Sequence, residues 1–439
     1  MGVKYVEQVK SIILTLLVGL SLILTFAIWS YTPPYQVIEE SQVEQITIGE
    51  HKSIEDVIQP YRILLSQDNQ FSGTISSTLI DNVMTTLSKV RATELDFIQS
   101  NLSDVKINSM VGANNRITLF FQSEVPINIF KSILEFTQSD LPEISFSHLV
   151  IDWGKFNQTN TLQLLFVSEQ NRTLYTTDIA LSNDYFNSTF NDLFKDAIKY
   201  EEITRNNKLS LYVPSNPVEL AKYTYYIDEV SPERFKEILF KDTNIVKKNI
   251  ESATSSKYTD AMSFMTSDTK TKIINYVYPT SESINDIKGS TLLQESFDFV
   301  NEHGGLTGDY RYVYRNVPKH ITEYQLFLRG VPVFSSITST RITTIWGDNQ
   351  IFSYRRPYFK LDMAIPSERA VRQLPSGVEV SKWVQNIQDI DDIIVGYYLT
   401  GSEIDEKLYT LEPGWFSIQD GSATRITPES LGGAGYGLE

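Results

Sequence analysis

Hydrophobic and polar positions divide this chain into stretches of three kinds. The first is a continuous apolar run from Ser11 to Ser30, SIILTLLVGLSLILTFAIWS, which contains no charged residue. At about 1.5 Å of rise per residue, roughly twenty such residues match the roughly 30 Å hydrocarbon core of a bilayer, where a backbone must satisfy its own hydrogen bonds as a helix. The run therefore predicts one transmembrane helix over residues 11–30. It is longer than the apolar part of a signal peptide and ends in Trp29 and Tyr31 rather than at a small-residue cleavage site, which favours a retained anchor. Lys4 and Lys10 precede it, whereas Glu39, Glu40 and Glu44 follow. That asymmetry places residues 1–10 in the cytoplasm and everything from Tyr31 outside.

The second and third kinds, period-two alternation and helical spacing, fill the remainder. Short runs at Gln45–Ile48 and Tyr61–Leu65 predict strands. Leu79, Val83, Met84 and Leu87 recur at helical spacing behind Ser76 and Ser77. Arg116–Phe121 predicts a strand, and Pro126 is expected to open a helix carrying Ile127, Phe130, Ile133 and Leu134. His148–Leu181 alternates as a hairpin-rich region, and a helix bearing Phe186, Phe190, Leu193 and Ala197 closes a first exterior domain over residues 31–200. A middle domain over 201–290 has a helix started by Ser231, Pro232 and Glu233, then a hairpin around Ser267–Lys270. A C-terminal domain over 291–439 opens with Leu293, Phe297 and Val300 and stops at His303-Gly304-Gly305, a glycine C-cap. Strands over Tyr310–Val317, Glu323–Arg329, Ser339–Trp346 and Gln350–Tyr354 follow, then strands near Ile393–Leu399 and Trp415–Ile418. Tyr276-x-x-Pro279 and Tyr354-x-x-Pro357 close two hairpins in the same way, so the second and third domains are expected to share a topology. The fold class expected is α+β, with antiparallel sheets outside one membrane helix.

Composition narrows what such a molecule does. The formal net charge is −16, which disfavours nucleic acid and anionic polymers as bulk partners. There is no cysteine, hence no disulfide framework, no thiolate metal site and no cysteine nucleophile. His51, His148, His303 and His320 form no His-Glu-x-x-His pattern, no Gly-x-Ser-x-Gly elbow is present, and Ser103-x-x-Lys106 and Ser267-x-x-Lys270 lack the companion motif of a penicillin-binding fold. Asp389, Asp391 and Asp392 lack the spacing of a calcium loop and read as a solvated turn. No catalytic, cofactor or metal residues are expected.

Two features point to partners instead. Ser11, Thr15 and Gly19, at i, i+4 and i+8, put small residues on one helical face where a second helix can approach closely. From His303 to Lys360 eight basic residues stand against three acidic ones. Arg355, Arg356 and Lys360 at its end are expected to meet an acidic partner.

A short basic start, a span ending Ile28-Trp29-Ser30-Tyr31-Thr32-Pro33-Pro34-Tyr35, a large cysteine-free exterior and Phe352-Ser353-Tyr354-Arg355-Arg356-Pro357-Tyr358-Phe359 together resemble the YycH (WalH) family. The resemblance implies a non-enzymatic accessory regulator of the WalK–WalR two-component system, acting on the sensor kinase WalK with a sister protein, YycI, at the membrane of a low-GC Gram-positive bacterium. It also implies a three-part α+β exterior. The other function the residues allow is an extracytoplasmic binding protein that holds a cell-wall fragment or peptide in a cleft between modules.

Overall fold

The computed structural model describes residue 10 and residues 13–22, 24–25, 48–283 and 285–428. They fall into two compact units, residues 1–46 and 47–439. In the first, residues 13–22 and 24–25 are helical, and Thr25 Oγ1 donates to the Ser21 carbonyl at 2.8 Å. Among the described residues no helix is long and apolar enough to cross a membrane. Residues 11, 12, 23 and 26–30 of the expected span and residues 45–47 of the expected Gln45–Ile48 strand lie outside the described residues.

The second unit is mixed α+β and rich in antiparallel sheet. Eleven strands, all before residue 215, form one sheet. Its centre is a meander of Arg116–Pro126, Ser145–Asp152, Thr161–Ser168 and Thr173–Ala180, in which each strand pairs with the next. Register places Leu119 opposite Leu149 and Leu149 opposite Phe166, so the apolar alternation of successive strands converges on one face. The helix Ser77–Leu87 lays Ile80, Val83, Met84 and Leu87 into the core. The helix Asn183–Asp196, capped where the Ser182 hydroxyl accepts from the Tyr185 N–H, packs beside it through a 2.9 Å contact between the Thr86 and Thr189 hydroxyls. Pro126 ends its strand and opens a helix as expected, but one of a single turn, Ile127–Phe130, so that Ile133 and Leu134 lie in the turns that follow, where the Leu134 N–H donates to the Phe130 carbonyl at 3.0 Å.

Fifteen strands from Val218 onward form the other sheet. Pairing crosses residue 290: Ile273–Val277 lies against Ile351–Pro357, and Tyr276 stands directly opposite Tyr354. The two hairpin ends that echo each other in sequence are thus sheet neighbours. One pairing, Val331–Ser335 with Asp392–Gly401, is parallel. The helix Gly289–Glu302 buries Leu292, Leu293, Phe297 and Val300. At its end Gly304 and Gly305 take φ of +111° and +63°, as a glycine C-cap requires.

Candidate functional site

The two sheets of the second unit meet along a seam, and three arrangements on it are candidates for function. The first is a buried clasp. Arg62, in the strand Arg62–Gln67, donates from Nη2 to Asp392 Oδ2 at 3.0 Å and from Nη1 to the Tyr212 carbonyl at 2.9 Å. Its guanidinium lies 4.6 Å from the Phe120 ring centroid, and the Tyr61 hydroxyl donates to the same carboxylate. Burial pushes the Tyr61 hydroxyl well above its ordinary value; Arg62 pulls it back and Asp392 reinforces the rise. Asp392, expected in a solvated turn, is buried. The sequence offers little signal for it, since Asp392 follows Asp389 and Asp391 and each charge stands at the first position of its strand.

The second arrangement is a strap, residues 48–59, which binds the opposite half of the unit. Glu50 and Leu306 exchange backbone hydrogen bonds at 3.2 Å in each direction. Asn301 Nδ2 donates to the Lys52 carbonyl at 2.8 Å, and Lys52 Nζ donates to the Gly308 carbonyl at 3.3 Å. The backbones approach so closely that a Cβ at Gly49 would stand 2.6 Å from the Leu306 carbonyl oxygen, and one at Gly305 would stand 2.8 Å from that of Glu50. Only glycine permits this contact. The loop that receives the strap is propped from beneath by Arg356. Its Nη1 donates to the Gly305 carbonyl at 2.8 Å and to the Tyr354 hydroxyl at 2.9 Å; Nη2 reaches Thr307 Oγ1 at 3.2 Å. The guanidinium also lies 5.2 Å from the Phe235 ring.

The third arrangement is an open cleft of about 620 Å³ between strap, helix and second sheet. The strap forms one wall. Ser77, Asp81 and Thr85 on one face of the helix form another, and Arg311 with the Arg329–Gly330 hairpin turn completes it. Arg311 is buried, pairs with Asp309 at 3.1 Å and keeps an Nη1 that has no hydrogen-bond partner among the described residues. Burial raises the Asp81 carboxyl above its usual range, with no hydrogen bond among the described residues to offset it; Arg311 pulls it down and Asp309 pushes it up. Arg329 lies 5.2 Å from the Tyr223 ring centroid.

The residues singled out from sequence are not brought together with these. Ser11 lies outside the described residues. Thr15 and Gly19 are in the first unit, with open space around the position of a Gly19 Cβ. Arg355 is half-buried, opposite Asn275 and Thr343. Lys360 is also half-buried and pairs with Asp228 at 3.0 Å. Arg356 is 0% exposed, so its charge props a loop and is not offered to a partner. Much of the basic stretch is likewise spent within the chain: Arg311 on Asp309, Arg341 on Glu323 and Lys360 on Asp228.

These features define an antiparallel-rich α+β protein whose distinctive chemistry lies at an inter-sheet seam. The models of the YycH protein N-terminal and C-terminal domains match residues 7–195 and 208–429, and the chain belongs to the YycH family. It is 21% identical over 459 aligned residues to the two-component system WalR/WalK regulatory protein YycH of Bacillus subtilis strain 168, covering 99% of each chain. The crystal structure of YycH from Bacillus subtilis superposes with a TM-score of 0.73 at 18% identity, over 87% of this chain and 99% of that one. The chain is thus homologous to a regulatory protein of the WalR/WalK system. The matched domains meet between residues 195 and 208, just before the chain passes from the first sheet to the second.

Proposed function

We propose that this protein is a single-pass membrane regulator that modulates the sensor histidine kinase WalK, and through it cell-wall metabolism, together with the sister protein YycI. In this reading residues 1–10 are cytoplasmic, residues 11–30 span the membrane and the remainder is extracellular. What carries it is homology over essentially the whole chain to a protein named as a WalR/WalK regulator. Exposed Leu14, Leu16, Leu17 and Leu22 in the first unit support the anchor, because such a surface wants lipid or another helix around it. Ser11, Thr15 and Gly19 are then the face offered to the kinase helix, and Arg355 and Lys360 are contacts for the sister protein. Arg356 serves the fold.

Co-purification of the full chain from native membranes tests the assignment, and absence of both WalK and YycI from what comes down would sink it. Thr15→Leu with Gly19→Leu should leave the protein in the membrane yet weaken pairing with the kinase, since each interhelical hydrogen bond is worth only about 0.6–2 kcal/mol. The exterior division into 31–200, 201–290 and 291–439 belongs to the same proposal. Its first boundary falls near the change of sheet and its second between strands that share one, so limited proteolysis should release a stable fragment at the first more readily than at the second. The cleft of about 620 Å³ also favours a second reading, that the exterior captures a small extracellular ligand.

A further inference from the structure

The strap divides into two parts that are held in different ways. In its single helical turn, Ile54–Val57, and just past it, Val57 and Ile58 are 0% and 1% exposed and belong to the core. Before the turn, residues 48–53 carry one apolar side chain, Ile48, which is half-buried, while Glu50, His51 and Ser53 are exposed. Among the described residues, five hydrogen bonds join this part to the segment 301–308 of the second half. Glu50 and Leu306 exchange two at 3.2 Å, the Lys52 N–H donates to Asn301 Oδ1 at 3.4 Å, and Lys52 Nζ donates to the Gly308 carbonyl at 3.3 Å. The short one runs from Asn301 Nδ2 to the Lys52 carbonyl, at 2.8 Å. Behind these residues lies the open cleft, which Glu50, His51 and Lys52 line.

The surface that receives them is firm. The Gly305 N–H donates to the Val300 carbonyl at 2.8 Å, and Arg356 holds the Gly305 carbonyl and the Thr307 hydroxyl. An element with exposed backbone bonds and little buried apolar area opens at low free energy, whereas the core beneath it opens with the whole molecule. The joint between the two parts is local. The Ser53 N–H donates to Asp56 Oδ2 at 3.0 Å and the Asp56 N–H to the Ser53 carbonyl at 3.2 Å, so neither bond depends on the residues before it. We infer that residues 48–53 form a latch, which lifts from the segment 301–308 as one piece, hinged at Ser53, while Val57 and Ile58 stay in the core. The consequence rests on the proposed reading of residues 11–30 as the membrane span. Release then adds residues 48–53, about 20 Å at full extension, to the chain between the bilayer and the folded exterior, so the latch sets how far the exterior reaches.

Hydrogen exchange of the full chain in detergent micelles, read by mass spectrometry on overlapping peptides, tests the latch. The Glu50 and Leu306 amides protect each other, so one opening event exposes both. After correction for intrinsic rates they exchange at a common rate, at least about a hundredfold faster than the amides of Ile58 and Gly305. Gly49→Ala pries the latch open, because its Cβ would stand 2.6 Å from the Leu306 carbonyl oxygen. That variant loses protection at Glu50, Lys52 and Leu306 and keeps the parent's protection at Ile58 and Gly305 and its melting temperature. Asn301→Ala deletes two of the five bonds and speeds Glu50 and Leu306 by about tenfold. In cells, Gly49→Ala changes the output of a WalK-dependent reporter at equal protein level. Exchange of Glu50 and Leu306 at different rates, or together with Ile58 at the global rate, overturns the latch. So does a Gly49→Ala protein that melts early with Ile58 exposed. A lifted latch with an unchanged reporter overturns its regulatory role. The exchange contains no kinase, so failure of the latch and failure of kinase co-purification are separate results.

Discussion

The two sheets bring different side chains to one shared core. In the first, phenyl rings meet edge to face. Phe146 lies 5.5 Å from Phe121, 5.0 Å from Phe130 and 4.9 Å from Phe166, with interplanar angles of 87°, 86° and 72°. In the second, the largest buried side chains are Arg356 and the tyrosines Tyr258, Tyr310, Tyr324, Tyr354, Tyr358 and Tyr397. Burial pushes Tyr310 up to about 12, Arg356 opposing the shift, and the Tyr324 hydroxyl has no partner among the described residues. Packed phenyl rings ask only for volume and shape, whereas hydroxyls and a guanidinium also ask that each polar atom find its partner. The second sheet should therefore be the less tolerant of conservative change, and it is the sheet that receives the strap.

Truncation sets the upper bound of that comparison. Phe146→Ala and Arg356→Ala are both expected to cost on the order of 3–5 kcal/mol in urea melts, the first by cavity formation and the second by stranding the Gly305 carbonyl and Tyr354 hydroxyl. Same-size swaps should separate the two sides of that core: Phe146→Leu at about 1 kcal/mol and Arg356→Lys at about 2–3 kcal/mol, because lysine cannot reproduce the planar fork. Equal costs for the two swaps would erase the distinction.

Gly305→Ala comes next, at about 1–3 kcal/mol, since alanine is strained at a φ of +63° and its Cβ meets a strap carbonyl. Exchange of the amides of residues 48–59 should rise well before global unfolding does. If those amides stay protected, the strap is held elsewhere.

A smaller effect is expected from pH. Burial pushes the His303 ring below its ordinary value, while its bond to the Phe299 carbonyl and the nearby Glu302 pull it up. In the unfolded chain a histidine titrates near 6.5, so acidification protonates the unfolded chain first. The stability present above about pH 6.5 is then lost as pH falls toward the lower folded value. His303→Phe keeps a ring stacked on Phe299, which His303 now contacts at 4.0 Å between centroids, and removes the titration. The parent should lose more melting temperature than the variant between about pH 7 and about pH 5.5, a difference on the order of 1 °C.

The smallest effect belongs to Lys360→Glu. Its partly exposed pair with Asp228 is worth less than about 0.5–1 kcal/mol, so the fold should persist, while the salt dependence of the association with a sister protein proposed above should change. An unfolded Lys360→Glu protein would place this residue with Arg356.

Much of the first sheet was legible because its pairings are local. Consecutive apolar alternations from Arg116 to Ala180 became consecutive strands, and Leu79, Val83 and Leu87 fell on one helical stripe that the tertiary structure packs as read. Periodicity reports which face of an element is apolar, and for neighbours joined by short turns that nearly settles who pairs with whom. The second sheet pairs Val218–Glu229 with Leu408–Gln419 and Val331–Ser335 with Asp392–Gly401, across separations that carry no local signal. Charge was the least legible property. Arg355, Arg356 and Lys360 look alike in sequence, yet Arg356 props a loop from the core while Arg355 and Lys360 are half-buried, the latter paired with Asp228. Arg62 and Asp392 become partners only because two distant strands end at the same seam. Sequence by itself determined many of the elements, their apolar faces and the family. Tertiary structure decided which charges are buried and where the cleft opens, because burial of a charge depends on partners brought from far along the chain.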